Sequence, residues 1–515
     1  MTTITPPYQP RHHDPDKPAF VICETEERVT FGELESRANQ GAQLLRAAGI
    51  GIGDHIAILM ENRREFLEIC FAADRAGVYY TTISCHLTAD EIAYILRDCG
   101  ARMLITSDHY IDIIAMIDNL SSLEVYVAGD SSGAFYDWAH VLGSMPTTPI
   151  ADEHQGLDML YSSGTTGRPK GIKWPLPHDR PGGETMLVDL LTSLFAYDAE
   201  TYYLSTAPLY HAAPLRHSMV TIKMGGVAFV MKKFDAMRAL EMIDCHGITH
   251  SQWVPTMFVR LLKLTDAERR RYDLSSMQMA VHAAAPCPVE VKLRMLDWWG
   301  DIIHEYYSGT ENNGFTAIDS AEWRAHPGSV GRAKLGVLHI CDERGVELPV
   351  GTEGEVYFEN GHQFAYHNDP AKTAACMNDR GWTTLGDIGR LDAEGYLYLT
   401  DRKSFVIISG GVNIYPQETE DVLLGHPLVL DAAVIGIPNE DFGEEVKAVV
   451  QLVPGQAGSE ALAQDLIGHC RARLSTVKCP RSIDFHDHLP RSATGKLYKR
   501  KLRDEYRRSL NPENG

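Results

Sequence analysis

No stretch of the chain is apolar for long enough to cross a membrane. A spanning helix takes about 20 consecutive, mostly apolar residues, and polar side chains interrupt every apolar run before that length. The first residues, MTTITPPYQPRHHDPDKPAF, also lack the apolar core of a secretory signal. The sequence therefore predicts neither a transmembrane segment nor a signal peptide.

Cysteines with the spacing of a disulfide framework or a zinc site are missing as well. The ten cysteines are scattered, and no two of them form a CxxC pair. Such spacing in a long chain is typical of buried, reduced thiols. Together with the missing signal, it predicts a cytoplasmic location.

Positive charge is scarce. The chain has 48 lysines and arginines against 69 aspartates and glutamates, which gives a net charge of −21 at pH 7. Nucleic acids and anionic membranes are bound by basic surfaces, so this balance argues against a nucleic-acid partner. A negatively charged small substrate must therefore meet positive charge that is concentrated locally.

The length of 515 residues exceeds what one hydrophobic core supports, so two or more domains are expected. Helical and strand patterns alternate with short links, as in TFGELESRANQGAQLLRAAG followed by HIAILMEN. This alternation predicts an α/β fold class, with a large N-terminal domain of parallel-rich sheets covered by helices.

The pattern changes near residue 350, where strands broken by glycine, asparagine and aspartate predict a β-rich subdomain. A mixed α+β piece of about 110 residues follows, long enough for a small domain. The predicted division is an N-terminal domain over 1–400, a junction at 401–404 and a C-terminal domain over 405–515.

A glycine- and hydroxyl-rich segment, YSSGTTGRPKG, occupies 161–171. Its glycines let the backbone approach an anion, while hydroxyls donate hydrogen bonds and lysine adds charge. The spacing differs from the GxxxxGK[ST] loop of nucleotide hydrolases. Composition alone also fits an ordinary exposed loop. The candidate phosphate-binding residues are Ser162, Ser163, Gly164, Thr165, Thr166, Gly167 and Lys170.

The string SSGTTGRPKG resembles the phosphate loop of the acyl-adenylate-forming (AMP-binding) superfamily, in particular its acyl-CoA synthetase branch of fatty-acid and aryl-acid CoA ligases. The resemblance implies that ATP activates a carboxylic acid as an acyl-adenylate, which then reacts with CoA. It also implies Mg²⁺, a small mobile C-terminal domain that turns about a hinge, and a homodimer as a family-level expectation.

Four further segments resemble the ATP site of this superfamily. In EYYSGTE over 305–311, the resemblance places Tyr307 on the adenine, Thr310 at the α-phosphate and Glu311 at Mg²⁺. Asp387 would accept the ribose hydroxyls, in LGD where TGD is commoner, and Arg402 would reach the ribose or a phosphate. The small residues that would lie along the adenine are Ala284, Ala285 and Pro286.

The pocket that binds the carboxylic acid is expected to be apolar. His211, in PLYHAAP, falls where the superfamily places an aromatic residue beside the acyl carboxylate. The stretch that follows has no aspartate to bind an amino group, which disfavours an α-amino acid. Fatty acids, aryl-alkanoic or cinnamic-type acids and steroid side-chain acids stay open. The candidate pocket residues are His211, Ala212, Trp253, Val254, Met257 and Ala283.

The C-terminal segments resemble those that serve both half-reactions. PRSATGK ends in Lys496, which the resemblance makes the catalytic lysine, and Gly410 and Gly411 would leave room for the pantetheine arm of CoA. Ser404 stands at the hinge position, where the family commonly has Asp or Lys. The expected product is acyl-CoA, with AMP and pyrophosphate; the alternative is an acyl-AMP ligase that loads a separate carrier protein. The basic stretch after Lys496 is expected to be an exposed helix end or a contact for CoA phosphates.

Overall fold

A computed structural model describes residues 9–118, 123–131, 133, 135–162, 169–178, 182, 186–361, 364–439, 441–491 and 497–510. The chain forms two compact units. The first comprises Met1–Gln252, Arg270–Ala280 and Phe364–Thr373, and the second comprises Trp253–Arg269, Val281–Gln363 and Ala374–Gly515. Within these described ranges, no helix has the length and apolar character needed to cross a membrane. The hinge and domain boundary at 401–404 stay predictions.

The elements are numbered in chain order. The described residues form the strands β1 (Pro18–Ile22), β2 (Glu27–Thr30), β3 (His55–Leu59), β4 (Tyr79–Thr82), β5 (Met103–Ser107), β6 (Glu124–Ala128), β7 (Tyr136–Asp137), β8 (Leu157–Asp158), β9 (Leu160–Ser162), β10 (Lys170–Lys173), β11 (Tyr202–Ser205), β12 (Val227–Val230), β13 (His250–Trp253), β14 (Met279–His282), β15 (Ile303–Tyr307), β16 (Phe315–Ile318), β17 (Arg332–Leu335), β18 (Val337–Cys341), β19 (Gly354–Glu359), β20 (Ala365–Tyr366), β21 (Thr383–Leu391), β22 (Leu397–Arg402), β23 (Ile407–Ser409), β24 (Val412–Ile414), β25 (Val429–Asn439), β26 (Gly443–Leu452) and β27 (Ser482–Phe485).

The same residues form the helices α1 (Phe31–Ala47), α2 (Arg64–Arg75), α3 (Ala89–Cys99), α4 (Ile111–Ala115), α5 (Trp138–Gly143), α6 (Met186–Phe195), α7 (Ala212–Lys223), α8 (Ala236–His246), α9 (Pro255–Leu262), α10 (Asp266–Arg269), α11 (Val289–Trp299), α12 (Ser320–Ala325), α13 (Pro370–Ala375), α14 (Pro416–Leu424), α15 (Glu460–Arg471) and α16 (Lys499–Leu510).

Parallel strands dominate the first unit. A six-stranded sheet has the order β7-β6-β5-β3-β4-β8, with every pair parallel. In a second sheet β13, β11, β12 and β1 are parallel neighbours, and β2 is antiparallel to β1. All five residues of β3 are buried, as expected for a strand of a parallel sheet that is covered on both faces.

Local signals in the sequence explain where the helices begin and end. Thr30 accepts a hydrogen bond from the Glu33 amide while the Glu33 side chain binds back to Thr30, so a capping box starts α1. Thr88 and Glu91 start α3 in the same way, and Gly100 ends it with φ of +65°. The predicted alternation of helices and strands is confirmed.

Antiparallel strands dominate the second unit. A four-stranded sheet, β18-β19-β21-β22, is antiparallel throughout and corresponds to the predicted β-rich region. A further sheet has the order β24-β23-β26-β25 with β27 beside β26. Its buried side chains form one core with α14 and α15. The predicted α/β fold class, with parallel-rich sheets and a separate β-rich region, is therefore confirmed.

Candidate active site

In the first unit, both ends of the predicted phosphate loop are fixed in a sheet. Strands β9 and β10 pair antiparallel, with Ser162 opposite Lys170, and β20 pairs with the other edge of β10. The Lys170 ammonium lies 4.7 Å from the centroid of the Tyr366 ring, within the range of a cation–π contact. The loop itself, with Ser163, Gly164, Thr165, Thr166 and Gly167, lies outside the described residues.

His211 precedes α7, whose first residue is Ala212. Burial, with a smaller contribution from His86, lowers the pKa of His211 to about 3, so the imidazole is neutral near pH 7. Its Nε2 atom is buried and has no hydrogen-bond partner among the described residues. Buried polar atoms usually have a partner, so an unpaired ring nitrogen is the kind of group that a bound ligand can satisfy.

In the second unit, three predicted ATP-site residues form one hydrogen-bonded network. Antiparallel pairing of β21 with β22 sets Asp387 opposite Arg402. The Tyr307 hydroxyl donates to Asp387 Oδ2 at 2.6 Å, and Arg402 Nε lies 2.9 Å from Asp387 Oδ1. The negative charge of Asp387 is the main reason that the pKa of Arg402 is raised, and burial is the main reason that the pKa of Tyr307 is raised. The network is therefore a protonated phenol, a carboxylate and a guanidinium.

The same network lines a cavity of about 210 Å³ in the second unit. Ala284, Ala285 and Pro286, the small residues predicted to lie along the adenine, line it as well. Ala284 has φ of +76°, a left-handed conformation that costs a non-glycine residue about 1–3 kcal/mol and clusters at functional sites. The structure thus brings together six of the predicted ATP-site residues.

Thr310 and Glu311 lie in the turn that follows β15. Ser308 Oγ donates to the Gly314 carbonyl at 2.8 Å and closes this turn. A side chain at Gly309 would collide with Leu385 at 2.3 Å and would lie 2.9 Å from Glu311 Oε2. The glycine therefore permits the close approach that buries Glu311.

The predicted acyl-pocket residues are distributed over both units. His211 and Ala212 belong to the first, and the other four belong to the second. Those four are buried, and the Trp253 ring packs against Phe258 and Trp299 at centroid distances of 6.2 and 5.2 Å. Their apolar, buried character agrees with the expectation, and the common pocket stays a prediction. The four are Trp253, Val254, Met257 and Ala283.

Gly410 and Gly411 form the two-residue turn between β23 and β24, because Ser409 pairs directly with Val412. Both glycines have positive φ, +56° and +79°, as the type I′ hairpin turn requires. Both are exposed. Ser404 lies in a short 3-10 turn, Lys403–Phe405, which follows β22. Lys496 lies outside the described residues.

The same cavity contains further charged side chains that the sequence did not predict there. Asp401, Glu420 and Lys499 line it together with the Asp387–Arg402 pair. The basic stretch around Lys499 was expected to be exposed, and this lysine is instead only 8% exposed. Its position as the first residue of α16, before the buried Leu502, is the one local signal for burial.

Comparison with known proteins agrees with this fold. Residues 9–365 match the family model of AMP-binding enzymes, and residues 418–496 match the model of the AMP-binding enzyme C-terminal domain. The chain is 32% identical to a feruloyl-CoA synthase of an Amycolatopsis species, over 93% of this chain and 94% of the relative. It is 31% identical to the fatty acid–[acyl-carrier-protein] ligase ScoC of Streptomyces coeruleorubidus, over 96% and 94%.

A solved structure, that of the anthranilate CoA ligase AuaEII in complex with anthranoyl-AMP, superposes with a TM-score of 0.83. It is 27% identical to this chain, and the match covers 96% of this chain and 95% of that one. Fold and matches together define the class of adenylate-forming enzymes. The chain belongs to the family of AMP-binding enzymes and is an AMP-forming acid–thiol ligase. ATP and CoA are substrates of this class of enzyme.

Proposed function

We propose that the chain joins a hydrophobic carboxylic acid to CoA through an acyl-adenylate. The acid is a fatty acid, an aryl-alkanoic or cinnamic-type acid, or a steroid side-chain acid. The observation that carries the proposal is the Tyr307–Asp387–Arg402 network, which lines a cavity with Ala284 and Ala285. These groups supply an aromatic face, a carboxylate and a guanidinium, the types that a purine nucleotide needs.

Each of these groups has a defined task toward adenosine monophosphate. The Tyr307 ring stacks on the adenine, and the small residues Ala284 and Ala285 leave space for it. Asp387 Oδ1 and Oδ2 each accept one protein donor, and each keeps a further lone pair for a ribose hydroxyl. Arg402 forms an ion pair with Asp387 and supplies positive charge near the phosphate.

The residues present fit a magnesium ion. The described residues contain no group of three or more His, Cys, Asp or Glu side chains that could hold a metal. Mg²⁺ keeps several waters and commonly binds through one or two carboxylates and the substrate phosphates, so the single buried carboxylate of Glu311 suffices. Bound there, Mg²⁺ supplies positive charge for the leaving pyrophosphate. Thr310 and the loop with Lys170 hold the phosphates.

Two displacements follow from this arrangement. An oxygen of the acid attacks the α-phosphorus of ATP. The bond between the α-phosphorus and the oxygen that bridges to the β-phosphate breaks, and pyrophosphate leaves. His211 lies beside the carboxylate of the acid. Because its ring is neutral and a weak base, it neither repels a nearby cation nor takes up a proton. Lys496 binds both anionic reactants, the acid and ATP. The CoA thiol then attacks the acyl carbon and loses its proton to solvent, and AMP leaves with the electrons of the carbon–oxygen bond.

The second displacement involves the hinge. We propose that the small C-terminal domain, 405–515, turns about Ser404, withdraws Lys496 and brings the turn at Gly410 and Gly411 to the acyl-adenylate. Two consecutive glycines leave a narrow passage beside the backbone for the pantetheine arm. Their positive φ values support a requirement for glycine at this turn.

An acyl-AMP ligase that loads a separate carrier protein is the second candidate. The similarity to the carrier-protein ligase ScoC favours it, whereas the feruloyl-CoA synthase and the anthranilate CoA ligase favour CoA. Free CoA is therefore the proposed acceptor. A cytoplasmic location and a homodimer complete the proposal as expectations from the sequence.

A panel of acids tests the proposal directly. Octanoate, dodecanoate, ferulate and benzoate are each incubated with ATP, Mg²⁺ and CoA, and AMP and acyl-CoA are quantified. CoA-dependent AMP formation with at least one of them is expected. In the Tyr307→Ala variant, loss of stacking worth about 1–3 kcal/mol should raise the KM for ATP by roughly 5- to 150-fold. AMP formation that does not depend on CoA but increases when a carrier protein is added would favour the second candidate.

A further inference from the structure

Lys499, the first residue of α16, is a buried lysine with two acidic neighbours. Its Nζ lies 2.9 Å from Glu420 Oε1 and 3.9 Å from Asp401 Oδ2. The same ammonium lies 5.4 Å from the centroid of the Phe405 ring. Lysine is almost never buried to this degree unless it is paired, so the pairing accounts for its burial.

The two carboxylates are held in place by backbone amides. Glu420 Oε1 accepts from the Val434 amide at 2.7 Å, and Asp401 Oδ2 accepts from the Gln417 amide at 3.2 Å. Burial raises the pKa of Glu420, and the Lys499 ammonium opposes this. A buried ion pair is often no more stabilising than apolar side chains of similar volume. Its presence here therefore points to a task other than stability.

The position of the pair relative to residue 404 indicates that task. Asp401 precedes Ser404, whereas Glu420 and Lys499 follow it in the chain. Asp401 is also next to Arg402, whose guanidinium binds Asp387 in the nucleotide cavity. Lys499 stands three residues after Lys496 in the sequence. One ammonium thus joins the C-terminal piece to the strand that carries the nucleotide network.

We propose that Lys499 is a positioning residue for the adenylation half-reaction. Held by Glu420, its ammonium binds Asp401 and so ties the start of α16, three residues after Lys496 in the sequence, to the strand that carries Arg402. A turn about Ser404 separates the ammonium from Asp401 and leaves it with Glu420, which moves with it. The contact therefore stabilises the adenylating arrangement alone. This inference rests on the proposed function.

Separate assays of the two half-reactions test it. Adenylation is followed by pyrophosphate release, with the best acid of the panel and without CoA. Thioester formation is followed from the synthetic acyl-AMP of the same acid and CoA. Lys499→Met should lower kcat/KM for adenylation about tenfold, within the range that coupling between sites commonly reaches. Thioester formation should change less than about twofold, because the lost contact belongs to the other arrangement.

Matched variants exclude a general effect on folding. Lys501→Met removes an exposed lysine of the same helix and should leave both half-reactions unchanged. Lys499→Arg, which keeps the charge, should restore most of the adenylation. Asp401→Asn keeps one of the two oxygens that accept from the Gln417 and Arg402 amides and leaves Glu420 paired, so it should reproduce the split even if Lys499→Met folds poorly.

Three results would overturn the inference. They are an equal loss in both half-reactions, a loss confined to thioester formation, and unchanged adenylation in both Lys499→Met and Asp401→Asn. Failure of the proposed function is distinguishable, because the wild-type chain would then form neither acyl-AMP nor acyl-CoA with any acid of the panel.

Discussion

At the scale of single residues, His211 is half-buried and its ring carries a fully buried nitrogen. Its Nε2 has no partner among the described residues, and its neutral form is strongly favoured. Leaving a buried polar atom unpaired costs about 1–3 kcal/mol. Retaining a histidine at this cost fits a ring that meets the oxygens of the acid.

Lowering the pH should reveal the energetic cost of keeping the His211 ring nitrogen buried and neutral. Because burial holds the pKa of His211 near 3, the unfolded chain takes up a proton at this ring near pH 6.5 and the folded chain does not. The stability due to neutral His211 is therefore complete above about pH 6.5 and is lost as the pH falls toward 3, by about 1.4 kcal/mol per unit. The melting temperature of His211→Phe, measured relative to that of the wild type, should therefore rise when the pH is lowered from 7 to 5.

A control variant should keep His211 and the buried histidines and replace an exposed one. His12→Gln changes an exposed ring, and its melting temperature should follow the wild type at both pH values. A gap between His211→Phe and the wild type that stays constant from pH 7 to pH 5 would show that His211 is protonated in the folded state as well.

At the scale of elements, the β23–β24 hairpin depends on its two glycines. Gly411 has φ of +79°, and no atom lies within 4 Å of where a Cβ would stand. Gly411→Ala therefore introduces backbone strain of about 1 kcal/mol without a collision. If the pantetheine arm passes this turn, the added methyl should also raise the KM for CoA severalfold and leave adenylation unchanged.

Gly395 offers a matched control for that prediction. It has φ of +80° and equally open surroundings, in the turn between β21 and β22. Gly395→Ala should cost similar stability and leave the KM for CoA unchanged. Equal KM values for CoA in the two variants would mean that the β23–β24 turn has no contact with the pantetheine arm.

Elements also show how much of the fold was readable from the sequence. The helices α1 and α3 were predictable because capping residues, apolar spacing and terminal glycines all lie within twenty residues of one another. The network of Tyr307, Asp387 and Arg402 was assembled only by resemblance, since these residues are 80 and 15 positions apart. Burial of Lys499 escaped because its partners Asp401 and Glu420 are about 80–100 positions away.

At the scale of the whole molecule, the proposed reaction makes opposite demands on the C-terminal piece. Adenylation needs Lys496 near the acid and the α-phosphate, whereas attack by the CoA thiol needs that space to be free. A side chain that stabilises the first transition state alone lowers the rate of that step when removed and leaves the second intact.

Lys496→Ala separates these demands. Loss of an ammonium from developing negative charge commonly costs a factor of about 100 or more, so pyrophosphate release should fall by at least that factor. Thioester formation from supplied acyl-AMP should stay within about twofold of the wild type. Lys501→Ala, at an exposed lysine of α16, should match the wild type in both assays. Normal pyrophosphate release by Lys496→Ala would remove this lysine from the mechanism, while an equal loss in both steps would mean that one fixed arrangement serves the whole reaction.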